Sequence, residues 1–223
     1  MDLDIVEVSE LLNVSEEQLH RWISDGTIPA YSINAQYRFN RQEIEAWVVQ
    51  QKSAQEDIFP HKGGVHRFSL FRALSKGDVY GDIDGTTKEA VIKEATERMA
   101  HTLNLDPEVL AELLMEREEL MPTALGSGFA IPHARDFLLQ AQHKDVVTIV
   151  FLKQAIPYGA LDGKPVDTLF FLLASDDKKH LGLLSKIASL CASKDMKGLL
   201  QAHPSKDILI EEIRRWEEKL CPL

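Results

Sequence analysis

The chain has 223 residues and a formal net charge of −10, from 35 acidic and 25 basic side chains. Its 44% hydrophobic and 27% charged composition is that of a folded globular protein and excludes wholesale disorder. No apolar run reaches the roughly 18 residues of a transmembrane helix, and the acidic opening MDLDIVEVSE is no secretory signal. With only Cys191 and Cys221, a disulfide scaffold is not expected; the reading is a cytoplasmic protein with free thiols. The acidic balance argues against broad nonspecific binding to nucleic acid or anionic membrane.

Two segments with periodic apolar pattern, 1–50 and 67–223, flank a stretch of linker composition over 51–66 that holds Pro60 and Gly63–Gly64. In the first, Asp4 caps a helix through Leu12. Ser15 with Gln18 forms a capping box for a helix over 16–24 that Asp25–Gly26 stops. Ala30 to Phe39 reads as two short strands around Asn34–Ala35, where glycine would suit the second turn position better. Asn40 with Glu43 caps a last helix bearing Ile44, Trp47 and Val48.

In the second segment Thr86 with Glu89 caps a helix through about Leu103. Asp106–Pro107 starts another, with the stripe Leu110, Leu113, Leu114, Arg117 and Leu120. The Glu116–Glu119 cluster on this helix reads as a solvated face. VVTIVFL (146–152) and VDTLFFLLA (166–174) suit buried strands, and helices follow from about Lys179 to Cys191 and from Ile208 to Leu220. Strands alternating with helices predict an α/β layer structure.

The stretch TALGSGFAIPHAR (123–135) is the richest in chemistry. Gly126 and Gly128, around Ser127, allow a close backbone turn that can present N–H groups to an anion. Pro132 stiffens the backbone just ahead of His133. Arg117 stands on an apolar stripe, where arginine needs a partner, a few residues before that loop. His180 opens a helix, where unpaired N–H groups favour a phosphate. Two histidines, an arginine and a helix start are the parts needed to hold a phosphohistidine. His20, His61, His66, His101, His143 and His203 show no metal-ligand spacing, so no metal and no cofactor are expected. Cys191 reads as a small core residue.

Four blocks in order, LSKGDVYGDIDGTTKEAVI (74–92), EREELMPTALGSGFAIPHAR (116–135), AIPYGALDGKPVDTLFFLLAS (155–175) and HLGLLSKIASL (180–190), resemble the enzyme IIA domain of the bacterial phosphotransferase system, of the fructose, mannitol and nitrogen-regulatory type. The resemblance implies a mixed β-sheet covered by helices. It implies that His133 accepts a phosphoryl group from an HPr-type carrier, that His180 is the second active-site histidine, and that Arg117 contacts the phosphate. Met121–Pro122 and Phe129 depart from the family's usual residues near the loop and bear on partner choice. Neither a membrane domain nor a IIB segment is seen in the sequence.

Residues 7–31 (EVSELLNVSEEQLHRWISDGTIPAY) and 36–47 (QYRFNRQEIEAW) resemble the excisionase/MerR-like helix-turn-helix family. This implies a winged helix-turn-helix with the helix at 16–24 entering a major groove, His20 and Arg21 near DNA, and Gln36 and Arg38 on the wing. Against this, residues 1–50 hold three arginines and nine carboxylates, a net −6, which opposes phosphate contact. The expectation is a regulatory phosphocarrier whose state controls an unknown regulatory partner or DNA. The alternatives are a DNA-binding regulator with a IIA-like sensor, or a sugar-transport IIA component working with separate IIB and IIC proteins.

Overall fold

A computed structural model describes residues 2–12, 14–54, 69–134 and 145–220. His61, His66, Arg135, His143, Cys221 and positions 55–66 of the expected linker lie outside these residues.

The N-terminal unit begins with β1 (Asp2–Leu3) and α1 (Ile5–Leu12). Asp4 and Glu7 cap α1 reciprocally: the Glu7 amide donates to Asp4 Oδ1, and the Asp4 amide donates to Glu7 Oε2. Ser15 caps α2 (Glu16–Ser24) by accepting from the Gln18 amide. Gly26, at φ 66°, lets the chain turn after Asp25. β2 (Tyr31–Ile33) and β3 (Gln36–Asn40) form a hairpin with Asn34 and Ala35 both at positive φ, the backbone that a two-residue primed turn demands. Asn40 Oδ1 then accepts from the amides of Gln42 and Glu43 and starts α3 (Arg41–Ala54). α3 runs four residues beyond the expected boundary at 50. The three strands pair antiparallel in the order β1-β3-β2.

The larger unit opens with α4 (Leu70–Lys76), β4 (Val79–Ile83), α5 (Lys88–Leu103) and α6 (Pro107–Leu120). Then come β5 (Ala124–Gly126), β6 (Phe129–Ala130), β7 (Val146–Ile156), β8 (Val166–Leu173), α7 (Asp177–Ala192), α8 (Lys194–Gln201) and α9 (Lys206–Leu220). Asp106 caps α6 as its sequence indicates, but α5 is capped by Thr87, one residue later than expected, through the Ala90 amide. The short elements α4, β4, β5, β6 and α8 were not foreseen.

The mixed sheet has the order β4-β7-β8-β6-β5. β4 runs parallel to β7, β6 parallel to β8, and the other two pairings are antiparallel. β7 and β8 are apolar on both sides because both faces are covered. Val147, Ile149, Phe151, Phe170 and Leu172 point into one core with α4, α7, α8 and α9. Val146, Val150, Leu169, Phe171 and Leu173 point into the other, with α5 and α6. This is the α/β fold with a mixed, helix-covered sheet that the sequence indicates.

One of these cores crosses the boundary between the two units. Val8, Leu12, Ile44, Trp47 and Val48 of the N-terminal unit share it with Leu181, Leu184 and Ile187 of α7. α3 and α1 both pack against α7. At the edge of this contact Arg41 pairs with Asp177, and Lys178 Nζ lies 2.9 Å from Glu10.

Candidate functional site

Three structural decisions bring the larger unit's site residues together. β6 is two residues long, and Ile131–Pro132 carries the chain on beside β8, where the Leu172 amide donates to the Pro132 carbonyl and His133 bridges to Leu172. β8 ends at Leu173, and the next helix puts His180 in its second turn. α6 ends at Leu120 with Arg117 turned inward. His133 and His180 are each only 4% exposed, and their ring centroids lie 5.0 Å apart.

His133 Nδ1 stands 2.7 Å from the Ile131 carbonyl. A carbonyl only accepts, so Nδ1 donates its proton there and Nε2 is the ring nitrogen turned to the pocket. That Nε2 atom is buried with no hydrogen-bond partner, as is Nε2 of His180. Arg117 is 3% exposed; its Nη1 donates to the Met121 carbonyl at 3.0 Å, and its Nε is unpartnered. A buried, unsatisfied nucleophilic nitrogen beside an arginine is costly as architecture and useful as chemistry.

Sequence reasoning missed the fourth member. Glu45, from α3 of the N-terminal unit, is 6% exposed and projects among the other three. Its Oε2 lies 3.5 Å from His133 Nε2 and 3.7 Å from Arg117 Nη2, and its Oε1 lies 3.6 Å from His180 Nε2. Burial works against its charge, but His133 first, then His180 and Arg117, outweigh burial and hold its carboxyl well below the usual carboxylate range. His180 is pushed down to about 3, by burial first and then by the charge of His133, so its ring is neutral at pH 7. Glu45, His133 and His180 offer ligand atoms within 4.8 Å of one another, enough to hold a metal ion. The Arg117 guanidinium in the same cavity opposes a dication and favours an anion. No signal within residues 41–47 marks Glu45, because its role depends on how two units pack.

The glycine stretch behaves differently from its expected part. Ser127 and Gly128, both at positive φ, form the two-residue turn of the β5–β6 hairpin. The Ser127 amide is already taken by Asp162 Oδ2 at 2.8 Å. A Cβ on Gly126 would meet the Asp162 carboxylate, and one on Gly128 that of Asp167. Gly126, Ser127 and Gly128 are thus ringed by carboxylates, which corrects the reading of this turn as a phosphate cradle. The block ALDGKPV supplies Asp162, so it braces the hairpin.

A second correction concerns Glu118, which is buried at 3%, whereas Glu116 and Glu119 are exposed. It accepts from the Thr123 amide and, at 2.5 Å, from the Thr123 hydroxyl, and pairs with Lys88 Nζ at 2.9 Å. This ties down the chain just after Met121, whose carbonyl holds Arg117. Leu120 is 55% exposed, so the stripe on α6 ends with Arg117. Cys191 is a core residue as expected, and burial pushes its thiol well up.

The residues expected near DNA lie away from this pocket's interior. His20, Arg21 and Gln36 are exposed and Arg38 is half-buried. The His20 ring meets that of Tyr37 edge-on at 5.7 Å, so α2 and the wing form one continuous surface. Arg38 donates to the Gln36 side chain at 3.0 Å.

The fold and this paired-histidine pocket define a two-part protein, an α/β unit with a small helix-turn-helix unit in front. Residues 72–215 match the family described as the phosphoenolpyruvate-dependent sugar phosphotransferase system, EIIA 2, and residues 3–52 match a helix-turn-helix domain. The chain belongs to the EIIA 2 family of the phosphotransferase system, with an N-terminal helix-turn-helix domain. It is 31% identical over 145 residues to the nitrogen regulatory protein of Pseudomonas aeruginosa, covering 64% of this chain and 92% of that one. It is 35% identical over 129 residues to the nitrogen regulatory protein of Escherichia coli, covering 57% and 78%. Among solved structures, nitrogen regulatory protein IIA-Ntr from Neisseria meningitidis superposes with a TM-score of 0.57 at 26% identity, covering 65% of this chain and 98% of that one. These relatives support a regulatory IIA role in the phosphotransferase system. Among the described residues no helix is long and apolar enough to cross a membrane.

Proposed function

We propose that the protein is a regulatory phosphocarrier in which His133 Nε2 takes a phosphoryl group from the phosphohistidine of an HPr-type protein. The supporting observation is the buried, unpartnered Nε2 of His133, with its ring oriented through Nδ1–H to the Ile131 carbonyl. In the transfer the P–N bond to the carrier's imidazole breaks as the P–N bond to His133 Nε2 forms. Each ring keeps its other ring proton, so the exchange is balanced in atoms and charge. Arg117 offsets the charge of the phosphoryl group, and His180 lies beside it to polarise the group or its acceptor. Arg117 and His180 therefore favour the transfer without becoming phosphorylated.

The test is intact mass of the wild-type chain and of His133→Ala after incubation with phosphoenolpyruvate, enzyme I and an HPr-type carrier. One acid-labile phosphoryl group on wild type and none on the variant is expected. An unmodified wild type beside a carrier shown to be active would sink the reading.

The exposed α2–wing surface supports a further role in binding a regulatory partner or DNA. His20, Arg21, Gln36 and Arg38 would carry that contact. Its acidic surroundings favour protein over duplex, so duplex retention is expected to be weak and to vanish between about 50 and 200 mM salt. Tight retention at 200 mM salt that Arg21→Ala and Arg38→Ala abolish would reverse that preference.

A further inference from the structure

The anion that the pocket attracts is already present, and it comes from the other domain. Glu45 reaches the two histidines and Arg117 only because α3 lies on α7. Arg41 Nε, one turn earlier on α3, donates to Glu45 Oε1 at 3.2 Å, whereas the three approaches to the larger unit, 3.5, 3.6 and 3.7 Å, are all longer than ordinary hydrogen bonds. The carboxylate thus sits centrally, facing three donors or bases at once, as a small anion would. The two Nε2 atoms left unpartnered are the two that face it.

We infer that Glu45 occupies the phosphoryl position of the pocket, so that docking of the helix-turn-helix domain and phosphorylation of His133 exclude one another. The inference rests on the phosphocarrier reading and names how that site is regulated.

Two physical arguments carry it. The first is space: an oxygen 3.5 Å from His133 Nε2 leaves too little room between them for a phosphorus bonded to that nitrogen and its three oxygens. The second is charge. A phosphoryl group brings close to −2 at pH 7 into a site that already holds a buried carboxylate, and like charges in a low-dielectric cavity repel strongly. Access points the same way. His133 is 4% exposed under α3, so a carrier protein's histidine cannot reach Nε2 until α3 lifts.

The rest of the contact is the apolar core that Ile44, Trp47 and Val48 share with α7, and its edge is polar. The edge is held by ion pairs that are half-buried or exposed, Arg41 with Asp177 and Lys178 with Glu10. Such pairs are individually weak. Meanwhile α2 and the wing stay exposed in the docked form. Phosphorylation therefore changes where the N-terminal domain sits and frees its α3 face; it does not uncover the reading surface.

The experiment compares wild type, Glu45→Gln and Asp177→Asn, all as full-length chains. Glu45→Gln keeps the shape of the side chain and removes the anion. Asp177→Asn weakens the edge and keeps the Glu45 carboxylate, reaching the pocket only through Arg41, which bonds both acids. The first readout is the rate of phosphoryl transfer from the phosphorylated carrier, followed by intact mass. The second is the radius of gyration from small-angle scattering, about 17 Å for a compact chain of this length.

Expected are transfer about tenfold or more faster for Glu45→Gln, a smaller increase for Asp177→Asn, and a radius that rises by roughly 3 Å on phosphorylation of wild type. Equal transfer rates in all three chains, with His133 phosphorylated in each, would leave the phosphocarrier reading intact and overturn the inference. So would a phosphorylated wild type with an unchanged radius. If no chain is phosphorylated while Glu45→Gln alone expands, the phosphocarrier reading fails; Glu45 is then a structural tether and the competition is overturned with it.

Discussion

Two buried charged clusters lie within a few residues of each other in the sequence, at Arg117 and at Glu118, and they are built on opposite plans. Around Glu118 every contact is short: Thr123 Oγ1 at 2.5 Å, Lys88 Nζ at 2.9 Å and the Thr123 amide at 3.1 Å. Around Glu45 the one short contact is within its own helix, from Arg41 Nε at 3.2 Å; the approaches to the larger unit are 3.5 to 3.7 Å, and three polar nitrogens of the pocket have no hydrogen-bond partner. The first cluster resembles a brace, in which each lone pair is used. The second resembles a filled binding site, in which the occupant and the wall belong to different domains. The contrast shows how a buried carboxylate can be sorted by its satisfaction. A fully hydrogen-bonded one stabilises the fold, and a loosely held one marks a place prepared for another anion.

The comparison breaks most visibly under truncation. Glu118→Ala strips the Thr123 amide and hydroxyl of their acceptor and leaves Lys88 unpaired over the Tyr158 ring. Removing one partner from such a buried pair costs about 3–5 kcal/mol, a fall of roughly 10 °C in melting temperature for a chain of this size. Glu45→Ala is expected to change the melting of the larger unit by no more than about 0.5 kcal/mol, because its loss is relieved by undocking instead of unfolding. Calorimetry on the two variants checks this. Equal losses would show that Glu45 is a second brace and would remove the distinction.

The same contrast marks what the sequence could disclose. Local chemistry was legible: Ser15, Asn40 and Asp106 cap the helices their spacing indicates, and the two apolar runs became the central strands β7 and β8. His133, His180 and Arg117 were legible as a set and do converge. Three things were not. β5 and β6 are too short to show a period, so the glycine stretch read as an anion loop and proved to be a hairpin turn flanked by Asp162 and Asp167. Glu118 stands among Glu116 and Glu119, and a run of charges gives no hint that one member turns inward. Glu45 lies on the edge of its helix's apolar face, and only packing against a separate domain reveals its partner. Local pattern reports elements, and contacts between distant segments decide which charges are buried.

The smallest expected effect is on pH dependence, and it concerns the loosely held cluster. In the docked form His180 faces His133, Glu45, Arg117 and Arg41, and its pKa is pushed down to about 3 from an ordinary 6.5, by burial before all else. Across that window an undocked ring binds a proton that the docked ring refuses. Stability of the docked state therefore rises with pH through this range, is fully present above about 6.5, and is lost as pH falls. Glu45 acts with the same sign lower down, since its carboxyl is held below the carboxylate range when docked and its contribution is lost in acid. Undocking relieves the part of this burial that α3 supplies, so the docking equilibrium should weaken as pH falls from about 7.5 to about 5.5, by about tenfold at most, the limit in which the freed ring regains its ordinary pKa. Small-angle scattering at the two pH values reads the shift. His180→Gln should flatten it while the melting of the larger unit stays in place. An identical docking equilibrium at both values would mean that His180 is not enclosed by α3 in solution, and that the two clusters differ less than their distances indicate.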